Sequence, residues 1–236
     1  MIKTKILAPL LILPLLGGCV AQMPEAVQGQ KTQSGAAIGA VAGALLGTVT
    51  SKHHKGKNAA IGAALGAALG GGIGYSMDQQ AAEVARALDT QVDNSPGAEL
   101  NRDQDIIVTN NDKYVKITFR EAMMFPTGSS TLTASASNKI HKLVNILQNY
   151  QTTLVQVVGH TDNRGSHSFN QNLSEKRAGN VANIIKQSGI NNNIYKRGCS
   201  FDKPVVPNTN ASNMSLNRRV EIFLYPSQEF VVDQCI

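Results

Sequence analysis

The chain contains no tryptophan, and its phenylalanines and tyrosines bring the aromatic content to only 5%. Hydrophobic residues still make up 42%. The apolar content is therefore aliphatic and small, and the deficit of bulk must sit in a particular region. Acidic residues are the minority, 16 against 22 lysines and arginines, for a net charge of +6. The basic residues are scattered and no aromatic-interleaved basic stripe appears, which argues against a nucleic-acid surface. Three cysteines allow at most one disulfide once one of them is otherwise engaged. The N-terminal apolar run, Ile6 to Leu16, falls short of the ~20 residues that a membrane-spanning helix needs.

That short run has a different reading. Lys3 and Lys5 precede it and small residues follow, which is the pattern of a bacterial secretory signal. Leu16-Gly17-Gly18-Cys19 resembles the lipobox of bacterial lipoproteins, in which the cysteine becomes the lipidated first residue. The expectation is a signal peptide over 1–18 and lipidation at Cys19, with loss of Lys3 and Lys5 taking the net charge from +6 to +4. Val20 follows the cysteine in place of the Asp that resembles an inner-membrane retention signal, so the expected destination is the outer membrane. Residues 19–34 are polar, with Gln, Pro and Gly, and read as a tether. Cys199 and Cys235 remain. In an exported, oxidising setting they either form one bridge or stay as thiols too far apart to meet.

The missing bulk lies in the next segment. Residues 36–47, AAIGAVAGALLG, and 59–70, AAIGAALGAALG, are identical at 9 of 12 positions with an offset of 23. Glycine recurs every fourth residue, at 35, 39, 43 and 47 and again at 62, 66, 70 and 74, so on a helix it forms one smooth stripe. Such stripes let helices approach closely, as small-xxx-small pairs do in membranes. The basic turn SKHHKGKN between the copies predicts a helical hairpin over 35–77. With each glycine costing about 1 kcal/mol in a helix, the hairpin needs a membrane or tight self-packing. Its apolar stretches of about 16 and about 20 residues are marginal and adequate to span, respectively. A Gly/Ala linker is the alternative, although linkers favour serine over regularly spaced Ile and Leu. The double stripe resembles the glycine zipper of bacterial outer-membrane lipoproteins. His53 and His54 in the turn lack a third metal ligand.

Residues 78–103 open with the helical pattern AAEVARAL, end after an NSPG turn, and read as a helical linker. From 104 to 226 the pattern is that of a mixed domain, followed by a tail over 227–236. IIVTNNDKYVKITF predicts a hairpin around Asn110-Asn111-Asp112. Residues 133–150 predict a helix with Thr133 as N-cap and Ile140, Leu143, Val144 and Leu147 on its apolar face. LVQVVGH is a strand, 171–188 a helix closed by Gly189, IYKRGC a short strand and RRVEIFLY a final strand. The order hairpin, helix, strand, helix, strand, strand gives an α/β (α+β) sandwich with helices on one face of a mixed sheet.

Candidate function concentrates in VVGHTDNRGS, where a buried strand ends on polar residues and turns at Asn163 and Gly165. A loop between strand and helix is a frequent ligand position. Asn170, Leu173, Ser174 and Arg177 share one face of the following helix, so Asp162 and Arg177 either flank one pocket or pair with each other. A catalytic reading is weaker. His160, Asp162 and His167 lack a further ligand at metal spacing, and Ser166 and Ser168 lack a nucleophile-elbow context.

GHTDNRG, then NQNLSEKRAGNV, then NRRVEIFL, with MFPTGSSTLTASA ahead of the first long helix, together resemble the peptidoglycan-binding OmpA-like domain shared with Pal lipoproteins and the flagellar stator protein MotB. With lipobox and zipper, the whole chain is similar to outer-membrane lipoproteins of the YiaD type. The resemblance implies a β-α-β-α-β-β domain over 104–226 and a non-catalytic wall-binding role, with peptidoglycan as partner, an outer-membrane lipid anchor, and neither cofactor nor metal; the alternative is a homo-oligomer or pore formed in the membrane by the zipper hairpins, with the globular domain only as an anchor. It implies that Asp162 accepts the ammonium of diaminopimelate and Arg177 pairs its carboxylate. Thr161, Asn170 and Leu173 would line the pocket, with Phe125 as an apolar wall and Arg218 nearby. The chain departs from the family pattern at Cys199-Ser200-Phe201-Asp202, where a Gly-aromatic-Gly run is usual.

Overall fold

The computed structural model describes residues 76–236. The signal peptide, Cys19, the tether and nearly all of the expected zipper hairpin lie outside the described residues. Five strands, β1 (Ile106–Asn110), β2 (Val115–Arg120), β3 (Leu154–His160), β4 (Ile194–Gly198) and β5 (Arg219–Tyr225), form one sheet in the order β1-β2-β5-β3-β4. Neighbours pair antiparallel except β3 with β4, which run parallel, so the sheet is mixed. Asn111 closes the β1–β2 hairpin, its side-chain oxygen accepting from the Lys113 and Tyr114 amides at 2.8 and 3.0 Å.

Four of the five helices among the described residues, all but the last, pack on one face of the sheet. Helix α1 covers residues 76–87, α2 is the single turn Glu121–Met124, α3 runs Ala134–Leu147, α4 His167–Gln187 and α5 Ala211–Asn217. Thr133 caps α3 as expected, accepting from the Ala136 amide at 3.0 Å, while Ile140, Leu143, Val144 and Leu147 are buried. They pack with Ala178, Val181 and Ile185 of α4 over Val155, Val157, Val220, Ile222 and Leu224. Alternation along β5 sends Phe223 and Tyr225 to the other face.

Two elements correct the sequence reading. Residues 78–103, read as a helical linker, also contribute to the core: Ala81, Val84, Ala85 and Leu88, with Met77 just ahead of them, recur at helical spacing and are buried. Beyond α1, Val92 bridges to Val108. Helix α4 begins at His167, four residues before the apolar periodicity, because the Ser166 hydroxyl caps it by accepting from the Phe169 amide at 3.2 Å. The short helices α2 and α5 were absent from the expected order.

The second face is covered by the C-terminal tail. Cys199 and Cys235 are bridged, with Cα atoms 5.1 Å apart. Phe230, Val231 and Cys235 pack on Leu154, Val158, Phe223 and Tyr225. Gln156 donates to the Val232 carbonyl at 3.2 Å and accepts from the Tyr225 hydroxyl at 2.9 Å.

Candidate functional site

Register brings the site residues together. His160 of β3 and Arg120 of β2 both pair with Arg219, the first residue of β5. One or two residues beyond these stand Thr161 and Asp162, Glu121 and Arg218, all gathered at one end of the sheet. The pairing extends past the strands, since the Glu121 amide donates to the Arg218 carbonyl at 3.0 Å.

Helix α4 reaches this end because two strands carry glycine where it crosses. A Cβ on Gly159 would lie 2.2 Å from the Ser174 carbonyl oxygen, and one on Gly198 would lie 2.5 Å from the Glu175 amide. Both approaches need glycine, which explains why the strand before the polar loop ends on Gly-His. The contact sets α4 with Arg177 facing α2 and the loop ahead of α3. The loop after β3 is drawn tight by Asn170, whose amide donates to the Arg164 and Ser166 carbonyls at 2.9 and 3.2 Å.

Five charged side chains form a chain of ion pairs. Asp162 Oδ1 accepts from the Arg164 amide at 3.0 Å, and Oδ2 accepts from Arg164 Nε at 3.0 Å. The same Oδ2 lies 2.8 Å from Arg164 Nη2 and from Arg218 Nη1. Arg218 Nε pairs with Glu121 Oε2, and Arg177 Nη2 pairs with Glu121 Oε1. Arg177 also donates Nε to the Ser129 carbonyl at 3.0 Å, and its guanidinium carbon stands 5.1 Å over the centre of the Phe125 ring. Burial by itself would raise the Asp162 carboxyl, but the bonds from Arg164 and Arg218 outweigh it and hold the group below the usual carboxylate range.

The residues singled out from sequence thus divide. Asp162, Arg177, Arg218 and Phe125 belong to one assembly. Asp162 and Arg177 do not pair with each other, because Glu121 and Arg218 stand between them. Thr161 is buried, and its hydroxyl has no hydrogen-bond partner among the described residues. Asn170 braces the loop, and Leu173 is a half-buried residue of α4. The histidines disperse: His160 turns to the opposite face and meets Glu221 at 3.1 Å, and His167 meets Asp202 at 3.0 Å. Sequence reasoning missed Glu121 and Arg164. Arg164 was visible as a cation two residues beyond Asp162, whereas nothing near Glu121 announces a partner 56 residues away.

Residues 124–218 match the OmpA family, and residues 1–78 match the YMGG-like Gly-zipper. The chain is 37% identical over 198 residues to the probable lipoprotein YiaD of Escherichia coli (strain K12), covering 83% of this chain and 84% of that protein. It is 35% identical over 103 residues to the outer-membrane lipoprotein YfiB of Pseudomonas aeruginosa, covering 43% of this chain and 61% of that one. Among solved structures, the cell wall anchor of the T6SS from Pseudomonas aeruginosa superposes with a TM-score of 0.50 at 25% identity, covering 61% of this chain and 97% of that chain.

Proposed function

The chain belongs to the OmpA family, and from that premise we propose that it is a non-catalytic outer-membrane lipoprotein that binds the peptidoglycan stem peptide and tethers the membrane to the wall. The observation that carries the reading is the line of alternating charges from Arg164 through Asp162, Arg218 and Glu121 to Arg177. Diaminopimelate ends in an ammonium and a carboxylate on one carbon, so its receptor needs a fixed anion and a fixed cation side by side. Asp162 is ionised and takes the ammonium. Arg177 and Arg218, two guanidiniums sharing the single carboxylate of Glu121, leave a surplus of positive charge that draws the ligand's carboxylate. Phe125 walls the apolar stem, and the free Thr161 hydroxyl supplies a further polar contact beside Asp162.

The lipid on Cys19 and the glycine-zipper hairpin together give two membrane attachments, which suffice for stable anchoring. The duplicated glycine stripe also supports self-association of the hairpins. Cosedimentation of the full-length chain with purified peptidoglycan tests the wall reading. Wild type pellets with the wall, and Asp162→Ala and Arg177→Ala stay in the supernatant. A wild-type protein that remains soluble overturns the reading.

A further inference from the structure

Three guanidiniums surround the two carboxylates of the site, and they differ in their access to solvent. The Arg177 side chain is 2% exposed and spent on Glu121, the Ser129 carbonyl and the Phe125 ring. That of Arg218 is 24% exposed and bridges Glu121 to Asp162. That of Arg164 is 66% exposed, and its guanidinium bonds Asp162. The Asp162 side chain is only 6% exposed, and Arg164, the more exposed of its two guanidinium partners, stands on the side toward water.

Anything cationic that reaches Asp162 Oδ2 from solvent therefore enters alongside Arg164 and displaces its Nε and Nη2. The backbone of Arg164 does not have to follow. Its amide is held by Asp162 Oδ1 and its carbonyl by the Asn170 amide, so the exchange is a movement of one exposed side chain. We propose that Arg164 determines the ligand specificity of this site, exchanging Asp162 for the ligand's own carboxylate once the surplus charge of Arg177 and Arg218 has drawn it in, so that a zwitterionic end inserts into the Asp162–Arg164 pair while a lone ammonium does not. The inference rests on the reading of Asp162 as the acceptor of the wall ligand's ammonium.

Charge pairing explains the discrimination. A lone ammonium, such as a lysine side chain in the stem peptide, replaces one cation on Asp162 by another and leaves Arg164 without a partner. Diaminopimelate brings its carboxylate on the same carbon as the ammonium, which puts it beside the displaced guanidinium. Two ion pairs then stand where there was one. Arginine suits the role because its planar fork takes a carboxylate with two parallel donors.

The test is titration calorimetry on the full-length chain in detergent, with two soluble muropeptides that differ only in carrying meso-diaminopimelate or lysine at the third position of the stem. Wild type prefers the diaminopimelate form by tenfold or more. In Arg164→Ala the diaminopimelate form binds more weakly, the lysine form binds roughly 2- to 5-fold more tightly because its competitor on Asp162 is gone, and the preference collapses. Arg164→Lys keeps part of the preference. Parallel tightening of both ligands in Arg164→Ala, with the ratio unchanged, makes Arg164 a plain competitor and overturns the inference while leaving the wall reading intact. Failure of wild type to bind either muropeptide overturns the wall reading and the inference with it.

Discussion

Asp162 and His160 are two residues apart, and Arg218 and Arg219 are adjacent, yet the members of each pair serve different networks on opposite faces of the sheet. On the tail-covered face, His160 and Arg219 both bond Glu221, at 3.1 and 2.8 Å, and all three side chains are buried, none more than 7% exposed. On the face shared with α4, Asp162 and Arg218 join a network whose outer member, Arg164, is largely in water. Alternation sends the neighbours Arg218 and Arg219 to opposite faces, Asp162 leaves the face of His160 because it lies in the turn beyond the end of β3, and the cover decides what the charges can do. Sealed charges have no partner to exchange and hold the fold together. Charges with one exposed member can trade that member for a ligand.

The largest expected effect breaks the sealed network. Glu221→Ala leaves Arg219 buried beside a neutral His160 and lowers stability by about 3–5 kcal/mol in urea denaturation, with wall binding by the folded fraction unchanged. Next is the cover itself. Cys235→Ser frees the tail from Cys199 and costs about 2–4 kcal/mol in the same measurement.

A pH series separates the networks further. Burial, reinforced by the Arg219 charge and opposed by Glu221, lowers the pKa of His160. The unfolded chain therefore takes up a proton near pH 6.5 while the folded chain stays neutral there, and stability falls as pH drops through that value, by at most ~1.4 kcal/mol per unit. Glu221 is held well below 4.5 and Asp162 below 3.8, so their contributions are present above those values and are lost at lower pH. Denaturation midpoints of wild type begin to decline near pH 6.5, and those of His160→Gln decline only in the carboxylate range. The smallest stability effect belongs to the open network. Asp162→Asn costs about 1–2 kcal/mol, because Arg164 reverts to water and Arg218 keeps Glu121.

Local pattern made much of this legible. The spacing of Ile140, Leu143, Val144 and Leu147 and the alternation of β3 and β5 encode their own elements, and the polar loop after β3 exposes Asp162. Arg177, fifteen residues on, was placed on the right helix face. What stayed hidden is long-range. Glu121 becomes the hinge of the ion network only because β2 and β5 pair in one register, and neither sequence neighbourhood reports that register. The burial of Met77, Ala81, Val84, Ala85 and Leu88 was hidden for a similar reason, since an isolated helical pattern reads as a linker until the core it fills is known.

The contrast between the open and sealed networks is tested most directly by binding isotherms of Asp162→Asn and Glu221→Gln for one diaminopimelate muropeptide, at neutral pH and with both variants verified as folded. The account predicts that Asp162→Asn loses at least tenfold in affinity and that Glu221→Gln binds as wild type does. Equal losses in both variants, or full binding by Asp162→Asn, would contradict it.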